Sequence, residues 1–170
     1  GPRSISVADA YEACLLKTRE VAPVEDAFLI DEARFDVAEK IPGEFDVVVM
    51  SHVLEHLRQP VQAVRDALSL VRPGGHLVLA VPNPARPDVL INNLFKVHYV
   101  NRGHVVSWDP SHWRNFLENV LELDVIEYAH DFVRIKGCNR FPPLRRVGKA
   151  LGHLAPWWCF SNIAVIRRGA

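Results

Sequence analysis

Short apolar runs alternate along this chain with stretches whose apolar residues recur every three or four positions, the pattern of strands and helices in alternation. Asp26-Ala-Phe-Leu-Ile-Asp31 reads as a buried strand, and Phe45-Asp-Val-Val-Val-Met50, rich in β-branched residues after a Pro42-Gly43 turn, as a stronger one. Pro60 opens a helix whose Val61, Val64, Leu68 and Val71 keep the helical rhythm, and Arg72-Pro-Gly-Gly75 stops it before the strand His76–Val81. Asp109-Pro110 caps and starts a further helix with Trp113, Phe116, Leu117 and Val120 inward. Strands near Leu123–Tyr128 and Ile163–Arg167 follow. The opening segment reads as a helix from Ser4 or Ser6 to about Glu20, with Val7, Ala10, Tyr11, Cys14, Leu15 and Thr18 on one face.

Runs without polar alternation are what parallel sheets bury on both faces. The expectation is therefore an α/β fold with a mainly parallel sheet and helices on both faces. Ala27–Ile30, Phe45–Met50 and Leu77–Val81 are expected to be adjacent strands of it. One domain over 1–170 accounts for the length. Two stretches fall outside the rhythm, 83–108 and 137–160, and both read as lids or insertions because ligands in such sheets bind beyond the carboxyl ends of the strands.

Charge changes the picture only locally. Lys+Arg and Asp+Glu balance at 20 each, which gives no overall pull toward nucleic acid. All 20 acidic residues, however, lie at or before Asp131, and the segment beyond carries Arg134, Lys136, Arg140, Arg145, Arg146, Lys149, Arg167 and Arg168. Residues 140–160 mix these cations with Trp157, Trp158 and Phe160, a composition suited to an anionic membrane surface or a lipid-linked or phosphorylated substrate, or to a self-associating lid. Three cysteines without a CxxC pair suit a reducing, cytoplasmic setting.

The segment Phe45-Asp-Val-Val-Val-Met-Ser-His-Val-Leu-Glu-His-Leu57, then Gln59-Pro60, a helix, and Arg72-Pro-Gly-Gly-His-Leu-Val-Leu-Ala-Val-Pro-Asn83 resembles the class I S-adenosylmethionine (SAM)-dependent methyltransferases of the small-molecule type. His104-Val-Val-Ser-Trp108 before a helix resembles a later stretch of the same family. The resemblance implies a Rossmann-like methyltransferase sheet, SAM as cofactor, and a small-molecule, sugar or lipid-linked acceptor. It places Met50, Ser51 and His52 along the cofactor cleft, Asp31 near the adenine, and His104 as the first choice, with His52 beside it, for removing the acceptor's proton. His98, Tyr99 and His112 flank that choice.

The family's glycine-rich loop and the acidic residue that holds the ribose have no counterpart in this reading, so the first strands are expected to be missing and SAM to bind weakly or not at all. A degenerate methyltransferase-like binding or assembly module, completed by a partner chain or by a second copy, is the alternative. His52-Val-Leu-Glu-His56 also fits the zinc-hydrolase pattern H-x-x-E-H. That motif needs a continuous helix, whereas here a strand ends at Met50 and a helix begins at Pro60, so no metal site is expected.

Overall fold

The computed structural model describes residues 4–95, 103–133 and 142–169. The strands are β1 (Ser6–Asp9), β2 (Asp26–Leu29), β3 (Phe45–Ser51), β4 (Val71–Pro82), β5 (Val125–His130) and β6 (Ser161–Arg167). The helices are α1 (Glu12–Val21), α2 (Val37–Lys40), α3 (Pro60–Ser69), α4 (Pro87–Phe95), α5 (Pro110–Asn115) and α6 (Pro142–Leu154). β3, β4, β6 and β5 form one sheet in that order, and β1 and β2 form a separate pair. β1 with β2 and β3 with β4 run parallel, while β6 is antiparallel to both its neighbours. The sheet has the α/β, Rossmann-like character expected of it.

β4 lies inside the sheet, between β3 and β6, and its Leu77, Leu79, Ala80 and Val81 are all buried. α3 covers it with Ala63, Val64 and Ala67, and the aromatic group Trp108, Trp113 and Phe116 closes the core. Proline at the first turn starts α3 as expected. Asp109 caps α5 by accepting from the backbone N–H groups of Ser111 and His112. Trp108, read from sequence as part of a lid, is 5% exposed and belongs to the core.

Strand β4 begins five residues earlier than the sequence predicts, because Arg72–Gly75 bulge outward between the Phe45–Val71 and Val47–His76 pairings. A Cβ on Gly75 would lie 2.8 Å from both the Asp46 carbonyl oxygen and a Val71 methyl. Gly75→Ala is therefore expected to destabilise the chain by about 1–3 kcal/mol, the usual cost of overpacking. Urea unfolding reads this as a lower midpoint at unchanged slope, and an unchanged midpoint would refute the tight fit.

Two expectations need correction. Residues 6–9 are strand, not helix: they pair in register with Asp26–Leu29, and α1 starts only at Glu12. Val7, Ala10 and Tyr11 keep helical spacing in the sequence, but Asp9 Oδ1 accepts the Tyr11 N–H and turns the chain from strand into helix between them. β2, in turn, is not hydrogen-bonded to β3, since its ladder partner is β1. Between β1 and β3 lies a cavity of about 600 Å³ lined along both strands, with Val47 and Val49 half or more exposed beside it.

Candidate functional site

The cavity's mouth is set by how β3 ends. His52 has φ +55°, and its N–H still bonds the Ala80 carbonyl, so the chain leaves the sheet abruptly at this residue. Left-handed backbone at a residue other than glycine costs energy and is common where a site requires a particular side-chain aim. One 3₁₀ turn, Leu54–His56, follows and carries Glu55 into the interior at 2% exposure.

Three imidazoles surround that carboxylate. His52 Nδ1 lies 3.6 Å, His56 Nε2 3.8 Å and His104 Nε2 4.0 Å from Glu55 Oε1. His104 arrives because the Glu55 carbonyl accepts the N–H groups of both Val105 and Val106, which lays residues 103–106 across the turn. His56 Nδ1 lies 3.1 Å from the Gly103 carbonyl oxygen, which can only accept, so the proton sits on Nδ1. The His56 and His104 rings meet edge to face at 4.8 Å.

His52 is held from the other side. Its Nε2 is 3.0 Å from Ser161 Oγ, and its ring packs 5.4 Å from that of Phe160. Ser161 is fixed in turn by Asp131, whose Oδ1 accepts the N–H groups of Phe132, Phe160 and Ser161. Burial holds the His104 imidazole below the ordinary histidine value, with nearby Glu55 pulling the other way and His56 and His52 adding to the lowering. A histidine kept neutral near pH 7 can take a proton from a hydroxyl, and a carboxylate beside it stabilises the cation that results.

The continuous helix of the zinc-hydrolase pattern does not form, since His52 is itself left-handed and only a single 3₁₀ turn, Leu54–His56, follows it. The ligand atoms of Glu55, His56 and His104 do lie within 4.8 Å of one another, a spacing that suits one ion as well as it suits a shared carboxylate.

Of the residues singled out from sequence, Met50 and His52 line the cavity, and His104 joins His52 around Glu55. Ser51 is exposed at the end of β3. Asp31 stands apart: its Oδ1 accepts the N–H groups of Ala33 and Arg34 and so shapes its own turn. His112 is paired with Asp109 on the surface, and His98 and Tyr99 lie outside the described residues. The sequence reading missed Asp9, Tyr11 and Glu32, which line the opposite rim of the cavity, Tyr11 donating to Glu32 at 2.8 Å. The signal available was Ser6-Val-Ala-Asp9 itself, a four-residue strand ending in an acid.

Comparison with known proteins extends this picture. The methyltransferase-domain family profile matches residues 4–122. The ubiquinone biosynthesis O-methyltransferase of Parvibaculum lavamentivorans is 33% identical over 145 residues, covering 79% of this chain and 53% of that protein. Its namesake in Xanthomonas campestris pv. campestris is 33% identical over 107 residues, 61% of this chain and 44% of that one. The chain thus spans about half or less of the length of the curated relatives it matches.

Among solved structures, the complex of the Haloferax volcanii Trm112 methyltransferase activator with a putative methyltransferase gives a TM-score of 0.60 at 14% identity, covering 97% of this chain and 71% of the other. Magnesium protoporphyrin IX methyltransferase from Synechocystis PCC 6803, with S-adenosylhomocysteine bound, gives 0.58 at 15% identity, 98% and 64%. Identities this low speak for the fold, whereas the profile match over most of the chain speaks for kinship. The chain belongs to the methyltransferase domain family.

Proposed function

We propose that this chain forms the acceptor side and part of the cofactor cleft of a SAM-dependent methyltransferase acting on a hydroxyl of a small or lipid-linked molecule. The observation that carries the reading is the neutral-leaning His104 beside buried Glu55, whose other neighbours His52 and His56 line the cavity. Relatives that are named O-methyltransferases support oxygen as the atom that receives the methyl group.

The residues present fit the cofactor in part. A cavity of about 600 Å³ falls in the range of small-molecule sites, its β3 wall is apolar through Val48 and Met50, and Asp9 offers a carboxylate for a ribose diol. Bound SAM supplies an electrophilic methyl group. For their part, His52 and Met50 shape the cofactor wall, with Ser51 and Asp31 at the neighbouring strand ends. His104 receives the acceptor's proton, and Glu55 favours the imidazolium so formed. Displacement of this kind is governed largely by positioning and calls for no metal.

On the side of the gap the edges of β1 and β3 lack ladder partners among the described residues. A partner chain or a second copy that lays a strand against the open edges of β1 and β3 would supply them. Calorimetric titration of the 170-residue chain with SAM should therefore give a dissociation constant around the high-micromolar range or weaker. Displacement of the bound SAM by S-adenosylhomocysteine should be seen at the same site. Low-micromolar binding would refute the open edges, and no binding at millimolar SAM would favour the assembly-module alternative.

A further inference from the structure

The helix α6 carries a row of apolar side chains that the fold does not use. Val147, Leu151 and Leu154 recur at helical spacing and are 48%, 38% and 76% exposed, and Trp157 and Trp158 continue the row at 55% and 45%. Their outward aim is enforced from behind. Gly148 and Gly152 lie on the inner side, where a Cβ would stand 2.5 Å from the Val133 carbonyl oxygen and 3.1 Å from Cys159 Sγ respectively. The Val133 N–H bonds the Gly148 carbonyl at 3.0 Å, which pins the helix to the segment before it. The helix cannot roll to bury its apolar row without breaking these contacts.

The same side of the molecule gathers more of this character. Asn83 donates to the carbonyls of Trp157 and Cys159 at 2.8 and 3.0 Å, and Arg86, the residue before α4, stacks over the Phe160 ring at 4.4 Å, so the chain entering α4 runs beside the segment 157–160. α4 exposes Leu90, Ile91, Leu94 and Phe95, the last two at 79% and 83%. A patch of this kind on a water-soluble surface marks a contact site. The charge around it selects the partner: Arg146 and Lys149 are exposed on α6, and no Asp or Glu follows Asp131 in the sequence. Tryptophans with basic side chains beside an aliphatic row match the headgroup layer of a bilayer that carries negative charge.

We propose that α6, Trp157–Trp158 and α4 form a docking face for an anionic membrane surface. Because Phe160 also packs against His52, the face adjoins the cluster around Glu55 and would bring a lipid-soluble acceptor to it. Docking itself does not depend on methyl transfer, since it is read without SAM or acceptor.

Co-sedimentation with vesicles tests it. The chain should bind vesicles of mixed phosphatidylglycerol and phosphatidylcholine, release them as salt rises, and bind pure phosphatidylcholine far less. Tryptophan emission should shift to the blue on binding. A double Arg146→Glu, Lys149→Glu variant should lose at least about 25-fold in partitioning, at about fivefold per basic side chain. Leu151→Glu should abolish binding while the thermal unfolding temperature stays unchanged, and Leu154→Ser, at the most exposed position of the row, serves if Leu151→Glu fails to fold. The proposal is overturned by equal binding to neutral vesicles, by no binding to either, or by a stable dimer in light scattering that Leu151→Glu dissociates, which would assign the face to a second copy.

Discussion

Replacing His104 by alanine is expected to lower the methyl-transfer rate by about 10²- to 10⁴-fold, measured at saturating SAM so that weak cofactor affinity does not limit the comparison. The effect belongs on the chemical step because His104 stands over Glu55 as a candidate base, not along the cofactor wall. Burial lowers its folded-state pKa below the unfolded value of about 6.5. The acid limb of the rate profile should therefore lie below about pH 6.5, with the rate falling as His104 gains its proton. The same shift makes the folded chain bind fewer protons than the unfolded one. Its stability is thus undiminished above about pH 6.5 and declines as pH drops from there through the folded value. Glu55→Gln should move the acid limb lower still, since it removes the charge that favours protonated His104. A limb above pH 7, or an alanine variant within threefold of the parent, would remove His104 from the mechanism.

The second large effect is expected at Asp9. Its Oδ1 holds the Tyr11 N–H, which fixes the carboxylate at the end of β1 on the cavity rim. The other oxygen remains to accept a hydroxyl from a bound ribose. A hydrogen bond to a charged group contributes about 1.5–3 kcal/mol, so Asp9→Ala should weaken SAM binding by roughly 10- to 150-fold. In practice calorimetry would pass from weak binding to none. Asp31→Ala should change the affinity much less, because that carboxylate is engaged by its own turn. Equal losses at the two positions, with both variants folded, would mean that Asp9 has no special place in the site.

The contrast between these two acids shows where sequence reasoning succeeded and where it stopped. β3, α3 and β4 were legible because their signals are local: unbroken β-branched runs, a proline at a first helical turn, and a Pro-Gly-Gly stop. The family resemblance assigned Met50 and His52 to the end of β3, and both line the cavity there. β1 was not legible, since four residues with helix-compatible spacing become a strand only by pairing with Asp26–Leu29, a contact about twenty residues away. Once β1 was missed, Asp9 could not be recognised as a strand-end acid. Glu55 and His104 show a second limit. Nothing in Leu54-Glu-His56 announces that the glutamate turns inward, or that its carbonyl captures the backbone at Val105 and Val106. The chain enters that turn through one left-handed residue, His52, whose conformation no periodicity encodes.

The separation of the two sheets also bears on how the chain opens. Among the described residues the strands β1 and β2, with α1 joining them, share no ladder hydrogen bonds with the four-stranded sheet. Only Leu15 of α1 is buried, whereas β4 buries Leu77, Leu79, Ala80 and Val81. Local unfolding follows boundaries of this sort, because a unit that donates no bonds across the gap can release its own without disturbing its neighbour. Residues 6–29 therefore constitute a cooperative unit of low opening energy, and whatever strand closes the cavity would fuse two folding units into one.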